Sequence, residues 1–245
     1  MFAYLLEYNR YLNIVGIIVI TLIAWAFSYN KKAINKRLVF SALALHFCFA
    51  ILMLRTSWGQ TIMQYIADGA AKVYVFAEKG IEFMFGKLGD STLPWGFVFA
   101  FKVLPIIIFF GALMSLLFYV GIVQRLVAVI NFFLQPILGT SGAETLCAVA
   151  NSFLGQTESP LLIRNYLPRM TKSEYMVIMV TGMGTISGSI LAVFASMGVP
   201  TIHLLGASVM AIPATIMIAK MLFPETEKPE TMGGAAVTFD SPAKN

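Results

Sequence analysis

Residues 151–170 read NSFLGQTESPLLIRNYLPRM, an apolar stretch with a carboxylate, Glu158, in its middle. Gln156 and Thr157 stand immediately before it, and Gly155 and Pro160 bound the polar step. The apolar pieces on either side, roughly 141–154 and 160–167, are too short to cross a bilayer, which takes about 20 helical residues. Short apolar segments interrupted by Gly and Pro predict a re-entrant hairpin or a broken helix.

The surrounding chain supplies the membrane that such a hairpin needs. Of 245 residues, 58% are hydrophobic and 12% charged, whereas a soluble domain carries about 25% charge. The mean hydropathy of +0.80 points the same way. Uncharged runs cover 11–30, 38–54, 103–123 and 175–219, the last divided by Gly198 and Pro200. Arg10 precedes a run too long for a cleavable signal core, so the first run is read as a retained span. The expected organisation is two spans in 1–55, an amphipathic interfacial region in 56–95, one span in 96–125, and a re-entrant hairpin in 126–172. Two further spans in 173–222 and a polar linker in 223–245 complete it. The fold class expected is all-α: a polytopic membrane protein with about five transmembrane helices and one re-entrant hairpin.

Basic residues set the orientation. Lys31, Lys32, Lys36 and Arg37 follow the first span, Arg125 the third, and Arg164, Arg169 and Lys172 precede the fourth; Lys220 and Lys228 close the series. A hairpin that enters and leaves on one face puts all of them on the same side, which the positive-inside rule makes cytoplasmic. The N-terminus and the 56–95 region then face outward.

The candidate sites follow from the cost of polarity in lipid. Glu158 is either a surface-loop residue or a group lining a cavity, where a membrane carboxylate is tolerated. With Gln156 and Thr157 it offers amide, hydroxyl and carboxylate groups on non-helical backbone, a set suited to a polar neutral ligand. Asn151 precedes this break, and TGMGTISGSI (181–190) places Thr185, Ser187 and Ser189 among three glycines. That second group reads either as close helix packing through small residues or as unwound backbone offering oxygen ligands to a hard cation. Glu144 either pairs with a base near the cytoplasmic mouth or binds a proton. His46 reads as a helix-contact residue. Thr171 and Glu174 have capping-box spacing.

Several classes drop out. No His/Cys/Asp cluster has metal-ligand spacing, no P-loop is present, and no nucleophile–base pair is visible, so an enzyme is not expected. No aromatic–basic interleaving indicates a nucleic-acid face. Cys48 and Cys147 sit in apolar segments and read as small core residues.

At GQTESPLLIRNYLPRMTKSE the chain resembles the concentrative nucleoside transporter family of sodium- or proton-coupled symporters. FFGALMSLLFYVGIVQ (109–124), GTSGAET (139–145), ASMGV (195–199) and FPETEKP (223–229) are similar to that family too. The resemblance implies the first part of an inverted-repeat transporter fold in a bacterial cytoplasmic membrane, a homotrimer when full-length. It implies nucleobase contacts by Gln156, Thr157 and Glu158. It also implies sodium, as co-transported ion and not as cofactor, held by Asn151, the Leu154 carbonyl, Thr185 and the Ile186 carbonyl. Retention of GQTE followed by a small residue and proline favours sodium over protons, which remain the alternative coupling ion. Family members are considerably longer than these 245 residues, so the chain is expected to be an N-terminal part of a transporter; the alternative is a non-transporting membrane interaction or scaffold protein.

Overall fold

The computed structural model describes residues 11–89 and 98–232. The end of the 56–95 region from Asp90, and the linker beyond Met232, lie outside the described residues. Nine α-helices and no strand occur among those described: α1 (Tyr11–Ala26), α2 (Lys36–Arg55), α3 (Ser57–Phe85), α4 (Phe99–Tyr119), α5 (Ile122–Leu138), α6 (Gly142–Asn151), α7 (Lys172–Gly184), α8 (Gly188–Ser196) and α9 (Thr201–Leu222). Four stretches are long and apolar enough to span a membrane: Lys36–Arg55, Phe99–Tyr119, Lys172–Ser196 and Thr201–Leu222. The third combines α7 and α8, whose backbone unwinds between them. The apolar helices α1 and α5 are shorter. The chain is an all-α, polytopic integral membrane protein.

Local chemistry sets the element ends. Asn35 accepts from the Arg37 and Leu38 amides and starts α2. Ser141 with Glu144 forms a capping box on α6, and Thr171 with Glu174 forms one on α7, as the T-K-S-E spacing predicts. Gly139 closes α5 in the left-handed region, at φ 66°.

Two regions carry more structure than the sequence expectation named. The segment expected to be amphipathic and interfacial contains the 29-residue helix α3, which packs against α2, α4 and α9 and is not among the four spanning stretches. Its buried positions fall in two sets at four-residue spacing, Gly59, Met63 and Ala67 and then Ala77 and Ile81, mostly small side chains that admit close neighbours. The 126–172 region is not one hairpin throughout. Helix α5 occupies its start, and the arm after the break consists of short 3₁₀ turns, Ser159–Ile163 and Leu167–Arg169. Pro160 and Pro168 lack the amide that an α-helix needs in its interior, which keeps this arm from becoming one.

The core centres on α6, every residue of which is buried. It is enclosed by α5, α7, α9 and the first 3₁₀ turn. Its backbone polar groups therefore sit among protein groups, away from lipid. His46 on α2 places Nδ1 2.9 Å from the Met210 carbonyl of α9, the helix contact expected of it.

Candidate functional site

Helix α6 ends at Asn151, where the backbone tightens and breaks. The Leu154 amide donates to the Ala150 carbonyl at 2.8 Å, and the Glu158 and Ser159 amides both donate to the Gly155 carbonyl. Glu158 Oε2 accepts the Gly155 amide at 3.0 Å, so its carboxylate holds the turn that carries it. Gln156, Thr157 and Glu158 project from this turn and are exposed.

A second break faces the first. Helix α7 stops at Gly184, Thr185 is extended (φ −123°, ψ 161°), and Ser187 (φ −70°, ψ 157°) caps α8. Two hydrogen bonds join the breaks. Thr185 Oγ1 donates to the Asn151 carbonyl at 3.3 Å, and the Gly188 amide donates to the Phe153 carbonyl at 3.1 Å. The approach requires glycine: a Cβ on Gly188 would lie 2.9 Å from the Phe153 carbonyl oxygen. The glycine-rich run packs closely at one residue and unwinds at others. Gly184 packs against Thr215 of α9, while Thr185–Ser187 is unwound.

Between the breaks lies a cleft of about 420 Å³. Asn151, Gln156, Thr157 and Glu158 line it from the first break, Thr185, Ile186 and Ser187 from the second, and Phe110 and Met114 of α4 supply an apolar wall. Six of the seven site residues expected from sequence thus meet in one cleft. The seventh, Leu154, is buried and does not line it.

The groups around Asn151 are neutral oxygens. Asn151 is 2% exposed, and its Oδ1 accepts from Ser159 Oγ at 3.0 Å. The C-terminal end of α6, with its partial negative charge, points at the same place. This donor chemistry fits a hard monovalent cation. No group of His, Cys, Asp and Glu able to hold a metal ion occurs among the described residues. Sequence reasoning missed Ser159, which fixes the Asn151 side chain, and the wall residues Phe110 and Met114. Ser159 lay inside the quoted motif; the wall pair carries no signal beyond an apolar i, i+4 spacing.

Glu144 proves to be the paired carboxylate of its two readings, with Oε2 2.7 Å from Lys220 Nζ.

Known proteins resemble this chain in sequence and in fold. A family model described as "Na+ dependent nucleoside transporter N-terminus" matches residues 15–88, and one described as "Nucleoside recognition" matches 100–201. A transporter of Haemophilus influenzae described as uncharacterized is 47% identical over 216 residues, 88% of this chain and 52% of that protein. Nucleoside permease NupC of Helicobacter pylori is 41% identical over 225 residues, 90% of this chain and 54% of the relative. Sodium/nucleoside cotransporter 2 of Rattus norvegicus is 42% identical over 220 residues, 90% of this chain and 33% of the relative. The solved structure of CNTnw in an inward-facing substrate-bound state superposes with a TM-score of 0.86 at 41% identity, covering 91% of this chain and 56% of that one. A doubly substituted form of CNTnw in an outward-facing state gives 0.84 at 39% identity, with 91% and 55% covered. The chain spans about half the length of the bacterial relatives it matches.

Proposed function

Because the chain belongs to the concentrative nucleoside transporter family over the residues these matches cover, we propose that it forms the base- and cation-recognising part of a sodium-coupled nucleoside symporter. One observation carries this reading: two backbone breaks meet in a single cleft, with the amide, hydroxyl and carboxylate of Gln156, Thr157 and Glu158 beside the neutral oxygens of Asn151 and Thr185.

The roles divide by chemistry. Gln156 both donates and accepts, as the edge of a nucleobase requires. Thr157 adds a hydroxyl, and Glu158 accepts from base or sugar donors while fixing the turn. Phe110 and Met114 give the flat faces of a base an apolar surface. Sodium enters as a co-transported substrate, held by Asn151, Thr185 and the Leu154 and Ile186 carbonyls. Occupancy there ties the first break to the second and so orders the turn that carries Gln156. Sodium then raises nucleoside affinity, and by linkage nucleoside raises sodium affinity equally.

The same proposal includes the topology. Gly155–Pro160 lies at membrane depth, α6 and the 3₁₀ arm enter and leave on the cytoplasmic side, and the whole transporter assembles as a homotrimer in the bacterial cytoplasmic membrane. The two short apolar pieces and the one-sided basic residues support the hairpin. Single cysteines at positions 126 and 170 are expected to resist a membrane-impermeant thiol reagent on intact cells and to react once the membrane is opened. Labelling of 170 but not 126 from outside would mean a full crossing and end the hairpin.

The direct test of the base contacts is Gln156→Ala, with uridine binding measured at saturating sodium. Loss of one or two buried hydrogen bonds should weaken binding by about 1–3 kcal/mol, roughly tenfold to a hundredfold. Affinity unchanged within about twofold would sink the assignment.

A further inference from the structure

The FPETEKP stretch (223–229) plays no part in the binding cleft, yet it and the residues after it reach three helix ends. Lys220, on the last turn of α9, is 6% exposed, and its ammonium sits among three oxygens. Its Nζ lies 2.7 Å from Glu144 Oε2 of α6, 3.0 Å from Ser173 Oγ of α7, and 3.2 Å from Glu225 Oε2. Glu225 Oε2 also accepts from Thr171 Oγ1 at 2.9 Å, at the start of α7. Ser141, the cap of α6, donates its hydroxyl to Glu174, the capping-box carboxylate of α7. A few residues on, Thr231 completes the cap of α6. Its carbonyl accepts the Gly142 amide at 3.0 Å and its hydroxyl the Ala143 amide at 3.1 Å. The first amides of α6, which no intrahelical carbonyl can serve, are thereby satisfied by a segment far along the chain.

We propose that residues 220–231 are a clasp that sets the position of α6, with Lys220 and Thr231 as positioning residues for Asn151 at its far end. Helix α6 is rigid, ten residues and so about 15 Å long. Its cytoplasmic end is pinned by the clasp, and its other end presents Asn151 to Thr185. A shift at the base is carried along the helix to the cleft. The clasp is ionic and hydrogen-bonded, so its geometry is specified in direction as well as distance, which apolar packing would not do. Its bearing on the cation site rests on the proposed function; the position of α6 does not, and the two can fail separately.

Cys147 is a native reporter, fully buried in the middle of α6. In the full chain with Cys48→Ala, it is the only thiol of these 245 residues. The rate of its reaction with N-ethylmaleimide reads local opening of α6. Lys220→Met leaves Glu144 buried without its partner, and Thr231→Val removes one cap acceptor while keeping shape. Each should accelerate labelling, Lys220→Met by at least about tenfold and Thr231→Val by a smaller factor. The double variant Glu144→Gln/Lys220→Met, which leaves neither charge, should label more slowly than Lys220→Met alone. A parallel reporter, Val103→Cys with Cys147→Ala, sits in the separate buried cluster of α4 and should not accelerate. Unchanged Cys147 labelling in both single variants would overturn the clasp. So would equal acceleration at position 103, which would mean general loosening.

Discussion

Glu144 and Glu158 stand near the two ends of α6, and the protein treats these identical side chains in opposite ways. Glu144 is 1% exposed and paired at 2.7 Å with a buried lysine. Glu158 is exposed and lines the cleft, with one oxygen holding its own turn. At the base, ion pairs and caps bind polar groups to one another. At the tip, the polar side chains face a cleft on non-helical backbone. A carboxylate in an apolar chain is not in itself a sign of function; its partners decide whether it serves the fold or a ligand.

That contrast can be broken by moving the effect of substitution from one end to the other. The largest change should come at the base. Lys220→Met alone leaves a buried carboxylate uncompensated and should lower stability by about 3–5 kcal/mol, read as a fall in thermal or denaturant midpoint in detergent. A midpoint within experimental scatter of the wild type would mean that the ion pair contributes nothing. Next comes the stitching of the two breaks. Gly188→Val puts a branched side chain where a Cβ already meets the Phe153 carbonyl at 2.9 Å. Such overpacking should cost about 1–3 kcal/mol of stability and weaken nucleoside binding as well, since the cleft is built on that contact. At the tip the pattern should invert. Glu158→Gln should change the melting midpoint by less than about 1 kcal/mol equivalent, while uridine binding falls by roughly tenfold. A Glu158→Gln protein that melts early but binds normally would place Glu158 with Glu144 as a structural group. The smallest effect belongs to His46→Phe, which removes one hydrogen bond to the Met210 carbonyl at 2.9 Å and should cost about 1 kcal/mol with binding unaffected.

Local patterns were readable from the sequence, and contacts between distant segments were not. The uncharged runs marked the long apolar helices, T-K-S-E marked the cap of α7, and the Gly–Pro bracket around GQTE marked the first break. Each is decided within a few residues. Whether the glycines of 181–190 meant packing or unwinding could not be read, because Gly184 answers to Thr215 on α9 and Gly188 to the Phe153 carbonyl. Glu144 stayed ambiguous because Lys220 arrives three helices later. Helix α3 was legible as an amphipathic segment from its charges, but its contact with the bundle was not, because the stripe that makes it includes Gly59, Ala67 and Ala77 and carries little hydrophobic signal. Leu154 was expected for its carbonyl, and a main-chain oxygen leaves no trace in side-chain identity.

The central claim is that the two breaks form one coupled cation and nucleoside site, and its most direct test is uridine binding at equilibrium titrated against sodium at fixed pH. The wild type should bind more tightly as sodium rises. Asn151→Ala should need a higher sodium concentration to reach the same affinity, and at saturating sodium its preference among nucleosides should be unchanged. Uridine binding that is indifferent to sodium but follows the proton concentration would contradict the account and transfer the coupling to protons.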